Sequence, residues 1–131
     1  MSVKFWTTLA AQDLERTRAF YAALGFTVRD MPMPGGITVE PTAGAMACFF
    51  GPEAFRDMIA GEICDATRAQ EVVQSIAVDT KEALEELAAK VEKVGGRLVN
   101  GPPKDLPWGR VFGFADPDGH VWAVLWFAQR G

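Results

Sequence analysis

Hydrophobic positions in the first half of the chain predict one strand, one helix and three more strands. Residues 3–10 are rich in aromatic and β-branched side chains, which is typical of a strand, and Asp13 then stands where a helix N-cap is expected. The helix is predicted to end at Leu24, because Gly25 follows at the position where a left-handed C-cap favours glycine. Further strands are predicted near 26–30, 36–40 and 45–50.

The second half repeats this order of elements. Val72 to Val78 reads as a strand, and Asp79 with Glu82 is a candidate capping box for a helix that Gly95 ends. Strands are predicted near 97–99, 109–115 and 120–127. Two βαβββ copies of similar length therefore make up the chain.

Each copy is too small to bury its sheet alone, so we expect the two to form one domain. The predicted domain spans residues 1–131, with unit one at about 1–60, a connector at about 61–70 and unit two at about 71–131. A short helix is expected around 53–60, before the connector. The predicted fold class is α+β, with a curved mixed sheet around a central cavity and the helices outside.

Charge and composition narrow the possible partners. The 131 residues carry a formal charge of −4 without a basic stripe, which argues against nucleic acid as a partner. The richest apolar run, Val121 to Ala128, is too short to span a bilayer, and no signal peptide is expected. Cys48 and Cys64 form no CxxC motif, so we predict reduced cysteines and a cytoplasmic location.

Two segments resemble one protein family. Asp13 to Phe26 is similar to the opening helix of the vicinal oxygen chelate superfamily, and Gly109 to Trp122 is similar to its closing hairpin. This superfamily includes glyoxalase I, bleomycin-resistance proteins and extradiol dioxygenases. The resemblance covers nearly the whole chain, and it implies the fold predicted above and a homodimer, with strand exchange between chains as an open possibility.

The resemblance also implies where a divalent metal would be held. Counting from the motifs places the four ligand positions at apolar residues: Trp6, Phe49 (with Cys48 and Phe50 as neighbours), Val73 and Ala123. Indole and aliphatic side chains cannot ligate a cation, because hard or borderline cations need several oxygen or nitrogen donors. We therefore predict no metal and no other cofactor.

An apolar cavity remains as the candidate site. Alternation places Thr8 on the face of Trp6, and Ser75 on the face of Val73. Trp6 and Trp108 are candidates to stack on an aromatic ligand, although packing would also explain them. Arg110 is either a binder of a carboxylate or phosphate, or one half of an ion pair at a sheet edge. The predicted ligand-binding residues are Trp6, Thr8, Phe49, Val73, Ser75, Trp108, Arg110 and Ala123.

Other polar and aromatic residues have structural explanations. The single histidine, His120, follows a Pro-Gly turn and reads as a hairpin residue, with general-base chemistry as the alternative. Asp116 and Asp118 read as turn formers rather than a carboxylate pair. Trp122 and Trp126 are out of phase with Ala123, so we expect them to face the helices.

The predicted function is metal-independent binding of a small, partly aromatic or apolar molecule. This resembles sequestration by bleomycin-resistance proteins. Whether the protein is an enzyme is left open, since the alternative is a metal-dependent lyase, isomerase or dioxygenase of the glyoxalase type. A third hypothesis, metal-free catalysis through Arg110 and His120, has less support in the sequence.

Overall fold

The computed structural model describes residues 2–128 and divides the chain into two compact units. The first unit ends at Cys64 and the second begins at Asp65, so the division falls inside the predicted connector. No helix within residues 2–128 is long and apolar enough to cross a membrane.

The first unit contains one four-stranded sheet and two helices. Its elements are β1 (Thr7–Ala10), α1 (Leu14–Ala23), β2 (Thr27–Asp30), β3 (Gly36–Thr42), β4 (Ala45–Phe50) and α2 (Pro52–Ile59). The strand order is β1-β4-β3-β2, with β1 parallel to β4 and the other pairs antiparallel. The first and second strands thus form the two edges of the sheet, and α1 connects them.

The caps of α1 are those that the sequence predicts. One carboxylate oxygen of Asp13 accepts hydrogen bonds from the backbone N–H groups of Glu15 and Arg16, each at 3.1 Å. These bonds satisfy donors that have no partner within the helix. Gly25 follows the C-cap residue with a φ of 96°, a left-handed conformation that costs little in glycine.

The apolar side of α1 covers one face of the first sheet. Tyr21 is fully buried, and its ring centre lies 5.2 Å from that of Phe49 on β4 and 6.0 Å from that of Phe26. Thr17 is also fully buried, although the apolar pattern does not include it. Because side chains alternate along a strand, the neighbours of Phe49 lie on the face away from α1.

The second unit repeats this arrangement. Its elements are β5 (Val73–Ala77), α3 (Lys81–Val91), a 3₁₀ turn (Glu92–Val94), β6 (Arg97–Leu106), β7 (Gly109–Ala115) and β8 (Val121–Phe127). The strand order β5-β8-β7-β6, with β5 parallel to β8, matches the order in the first unit. The predicted α+β fold with two βαβββ copies is confirmed.

In the second unit, α3 covers the face that carries the large aromatic residues of β7 and β8. Leu84 of α3 is fully buried, and the Trp122 ring stacks on Phe114 with centres 5.9 Å apart and planes 5° apart. The ammonium group of Lys81 lies 5.9 Å from the centre of the Trp126 ring. Both Trp122 and Trp126 therefore lie on the helix side, as alternation predicts.

Some element boundaries differ from the sequence-based expectations, and the largest difference is β6, which runs to Leu106 where a strand near 97–99 is predicted. The N-cap of α3 is Thr80, whose Oγ1 accepts from the backbone N–H of Ala83 at 3.0 Å, so the predicted capping box starting at Asp79 is wrong. The helix starts at Lys81, and Thr80 directly before it has the extended backbone of a cap, with φ −132° and ψ 153°. The first strand begins at Thr7 rather than at residue 3, because the hydrogen-bonded pairing with β4 begins at Thr7.

Candidate functional site

Sheet register brings one row of mostly small side chains together in the second unit. Ser75 pairs with Ala123, Ala123 with Gly113, and Gly113 with Val99, so the row crosses all four strands. A Cβ placed on Gly113 would lie 3.4 Å from the Val99 Cβ, which shows that both positions face the same side. Since Phe112, Phe114 and Trp122 stack on the α3 side, this row lies on the face of the sheet opposite α3.

A groove with a volume of about 440 Å³ lies on this face. This volume falls in the range of pockets that hold small molecules. Its lining consists of Val99, Asn100, Gly101, Pro102, Lys104, Leu106, Val111, Phe112, Gly113, Val121, Trp122 and Ala123. Lys104 is the single charged residue among them, so the floor of the groove is apolar.

Of the predicted ligand-binding residues, Ala123 lines this groove. Val73 and Ser75 lie beside it in register on the edge strand β5, opposite Val121 and Ala123, and both are exposed. The sequence pattern does not reveal the lining contributed by β6, because the run from Asn100 to Pro103 reads as a turn that ends a strand. The Asn100-Gly101 pair is the signal that could have indicated a bulge within a longer strand, because both residue types accept the left-handed conformation that a bulge requires.

In the first unit, Thr8 pairs with Cys48, and Leu9 pairs with Phe49. The motif spacing predicts that Phe49 lies on the same face as Thr8. In the structure Phe49 packs on Tyr21 beneath α1, so it lies on the opposite face. Cys48 occupies that face instead, fully buried, and burial raises the pKa of its thiol. A raised pKa keeps the sulfur protonated, which makes it a poor metal ligand.

Arg110 lies on the helix side of the second sheet. Its Nε donates to Glu85 of α3 and its Nη1 donates to Asp105 at 2.8 Å. The hydrogen bonds to these carboxylates raise the pKa of Arg110, and Arg110 in turn lowers the pKa of Asp105. The expectation that Arg110 borders the ligand face is therefore corrected, because its side chain is held on the α3 side by Glu85.

The two tryptophans proposed as stacking residues are both partly exposed. Trp6 lies just before β1 and exposes 40% of its surface. Trp108 is equally exposed in the turn between β6 and β7, where its ring centre lies 5.5 Å from that of Phe127. Trp108 is not part of the groove lining, but Leu106, two residues before it, is.

The donor set at the family's ligand positions does not fit a divalent cation. Those positions hold Trp6, Phe49, Val73 and Ala123, none of which offers a nitrogen, oxygen or sulfur lone pair to a metal. The neighbouring positions add two hydroxyls, on Thr8 and Ser75, and the buried thiol of Cys48. A stable site needs several converging donors, so these residues do not support a metal-dependent step.

Asp116, Asp118 and His120 are brought together elsewhere in the second unit. Their potential ligand atoms lie within 4.8 Å of one another. One Asp116 oxygen already accepts from the backbone N–H groups of Asp118 at 3.0 Å and of His120 at 2.9 Å. These bonds close the turn between β7 and β8, which is the turn-forming role that the sequence predicts.

A family model described as the Glyoxalase/Bleomycin resistance protein/Dioxygenase superfamily matches residues 5–124. A search of curated proteins finds no match. Among solved structures, a hypothetical protein, SA1046 from S. aureus, superposes with a TM-score of 0.84 at 28% identity, covering 95% of this chain and 94% of the other.

Two further solved structures share the fold at lower identity. A glyoxalase-related enzyme from Fulvimarina pelagi has a TM-score of 0.77 at 22% identity, with 95% of this chain and 87% of that chain covered. A bleomycin-binding protein complexed with bleomycin has a TM-score of 0.66 at 21% identity, with 95% and 98% covered. At these identities the likeness concerns the fold alone.

Proposed function

Because the chain belongs to the glyoxalase/bleomycin resistance protein/dioxygenase superfamily, we propose that it binds a small, partly aromatic or apolar molecule without a metal ion. The observation that carries this proposal is the groove on the face of the second sheet opposite α3. Its floor combines the apolar Val111, Val121 and Ala123, and its size suits a small organic molecule.

The shape of the floor supports a flat ligand. Gly113 and Ala123 project almost nothing from the sheet, while Val99 on one side and Ser75 on the other complete the same row. A planar ring laid on this row buries apolar area on both partners. Burial is worth about 25 cal/mol per Å² before the costs of association are subtracted.

The relative with bleomycin bound supports sequestration as the use of such binding. That protein is described as a bleomycin-binding protein complexed with bleomycin. We propose that this chain likewise holds its ligand rather than converting it, and that it does so as a homodimer. The apolar residues at the family's ligand positions support the same interpretation, because the metal-dependent alternative requires donors there.

A thermal-shift screen of planar aromatic compounds tests the proposal. We expect hits on the wild type, since a ligand at one hundred times its Kd stabilises the folded state by about 2.7 kcal/mol. Ala123→Phe fills the groove floor and should abolish those shifts. The matched control is Ala89→Phe, at an exposed position of α3, which should keep them.

Further variants and a metal assay complete the test. Trp6→Ala and Trp108→Ala test stacking separately: neither residue lines the groove, so weaker shifts in either variant would show that its exposed ring also contacts the ligand. Hits that are equally strong in Ala123→Phe would place binding outside the groove. Uptake of one equivalent of nickel, zinc, manganese or ferrous iron by the purified protein would instead favour the metal-dependent lyase, isomerase or dioxygenase.

A further inference from the structure

One rim of the groove is formed by a bulge in β6. Val99 pairs with Gly113 and Lys104 pairs with Val111, so Phe112 alone on β7 faces the four residues 100–103. Asn100 has a φ of 62° and Gly101 a φ of 82°, two successive left-handed residues that turn the strand out of the ladder. The bulge therefore places three residues in the lining of the groove instead of in the strand pairing with β7: Asn100, Gly101 and Pro102.

Lys104 is the first residue after the bulge to rejoin the ladder. Its partner Val111 lies on the groove side, in phase with Gly113, and Lys104 itself lines the groove. The next residue, Asp105, points to the opposite face, where Arg110 binds it. Lys104 forms no ion pair with any residue of the described range 2–128. The adjacent carboxylate is therefore turned away from this ammonium group.

The charge of the groove differs from that of the chain as a whole. The formal charge is −4, which disfavours anions, yet no aspartate or glutamate lines the groove and one lysine does. Lys104 is exposed, so a carboxylate bound there keeps part of its hydration, while the apolar floor on one side reduces the screening of the ion pair relative to open water. Asn100 adds an amide at the same rim.

We infer that the groove takes a flat aromatic molecule that carries a carboxylate, with the ring on the Ala123–Gly113 floor and the carboxylate at Lys104. This inference rests on the proposed function, since it specifies the ligand class for the same groove. A hydrogen bond to a charged partner is stronger than one between neutral groups, so the carboxylate selects among flat molecules that the floor alone would accept equally.

Calorimetric titration with two probes of equal shape tests the inference. The probes are 2-naphthoate, which is anionic, and 2-naphthamide, which is neutral. We expect the wild type to bind 2-naphthoate about fivefold more tightly, which is the upper end of the effect of an exposed ion pair. Lys104→Met should reduce that affinity to the level of the amide, and Lys104→Arg should keep most of it.

A second lysine controls for general charge effects. Lys90→Met changes the net charge by the same amount at an exposed position of α3, outside the groove, and should leave both affinities unchanged. If the wild type binds both probes equally and Ala123→Phe abolishes this binding, the carboxylate inference is overturned and the proposed function stands. Loss of both probes in Lys104→Met would also overturn it. No binding of either probe at millimolar concentration would count against both.

Discussion

Gly119, in the turn between β7 and β8, is predicted to be intolerant of any side chain. Its φ is 96°, and a Cβ placed on it would lie 2.7 Å from the carbonyl oxygen of Ala66 and 2.8 Å from the backbone nitrogen of Thr67. Those atoms belong to backbone, so they cannot move aside as a flexible side chain would. Gly119→Ala must therefore displace the segment around Ala66 or open the turn.

The loss of stability in Gly119→Ala has two sources. A left-handed φ in a residue with a Cβ costs about 1 kcal/mol relative to glycine. Displacing the segment also breaks the hydrogen bond from the Gln70 side chain to the Gly119 carbonyl, which measures 2.8 Å and is worth about 1 kcal/mol. We expect Gly119→Ala to lower the free energy of unfolding by about 2 kcal/mol.

Gly95→Ala is the matched control in the same unit. Gly95 has a φ of 102°, but a Cβ there would meet nothing within 4 Å, so only the conformational cost of about 1 kcal/mol applies. Urea denaturation followed by tryptophan fluorescence measures both variants, at unchanged m-value. If Gly119→Ala unfolds at the same midpoint as Gly95→Ala, the close approach to Ala66 does not exist in solution.

Two further predictions concern a helix cap and a buried thiol. Thr80→Ala should cost about 1 kcal/mol in urea denaturation, because it removes the cap of α3, whereas Asp79→Ala should change stability by less than about 0.5 kcal/mol. A thiol reagent should label Cys64, which is exposed, at once and Cys48 only on unfolding. Burial raises the pKa of the Cys48 thiol above its ordinary value of 9.0 in the folded state. Above that pH the thiol of the unfolded chain therefore ionises while the buried thiol stays protonated, which favours unfolding. The wild type should then lose stability relative to Cys48→Ala, and an unchanged difference between the two up to about pH 10 would contradict this.

The parts of the fold that the sequence predicts well are those whose ends carry turn chemistry. The strand at 45–50 and the strand at 109–115 have the predicted bounds, because turn residues with glycine mark where each of them begins. The helix from Leu14 is fixed by Asp13 and Gly25 at its two ends. In each case a local backbone requirement, visible in the residue types, decides where the element begins or ends.

The parts that the sequence does not predict depend on pairing between strands. The run Met46 to Phe50 is apolar throughout, so alternation does not reveal that Phe49 faces α1 and Cys48 does not; the register with β1 decides it. Likewise, residues 100–103 contain a glycine and two prolines, which read as the end of a strand. The ladder nevertheless resumes at Lys104, because β7 continues to offer partners.

At the candidate site, a metal centre and a binding surface make different demands on the side chains. Metal ligands must converge within a few tenths of an ångström, and Val73 and Ala123 offer no donor at two of the positions where the family resemblance places ligands. A binding surface is less demanding, because apolar contact is not directional. Ala123 belongs to a flat row of mostly small side chains in register, and the bulge in β6 adds a rim with one cation. Ala123 is thus the position at which a missing metal donor and the floor of the groove coincide.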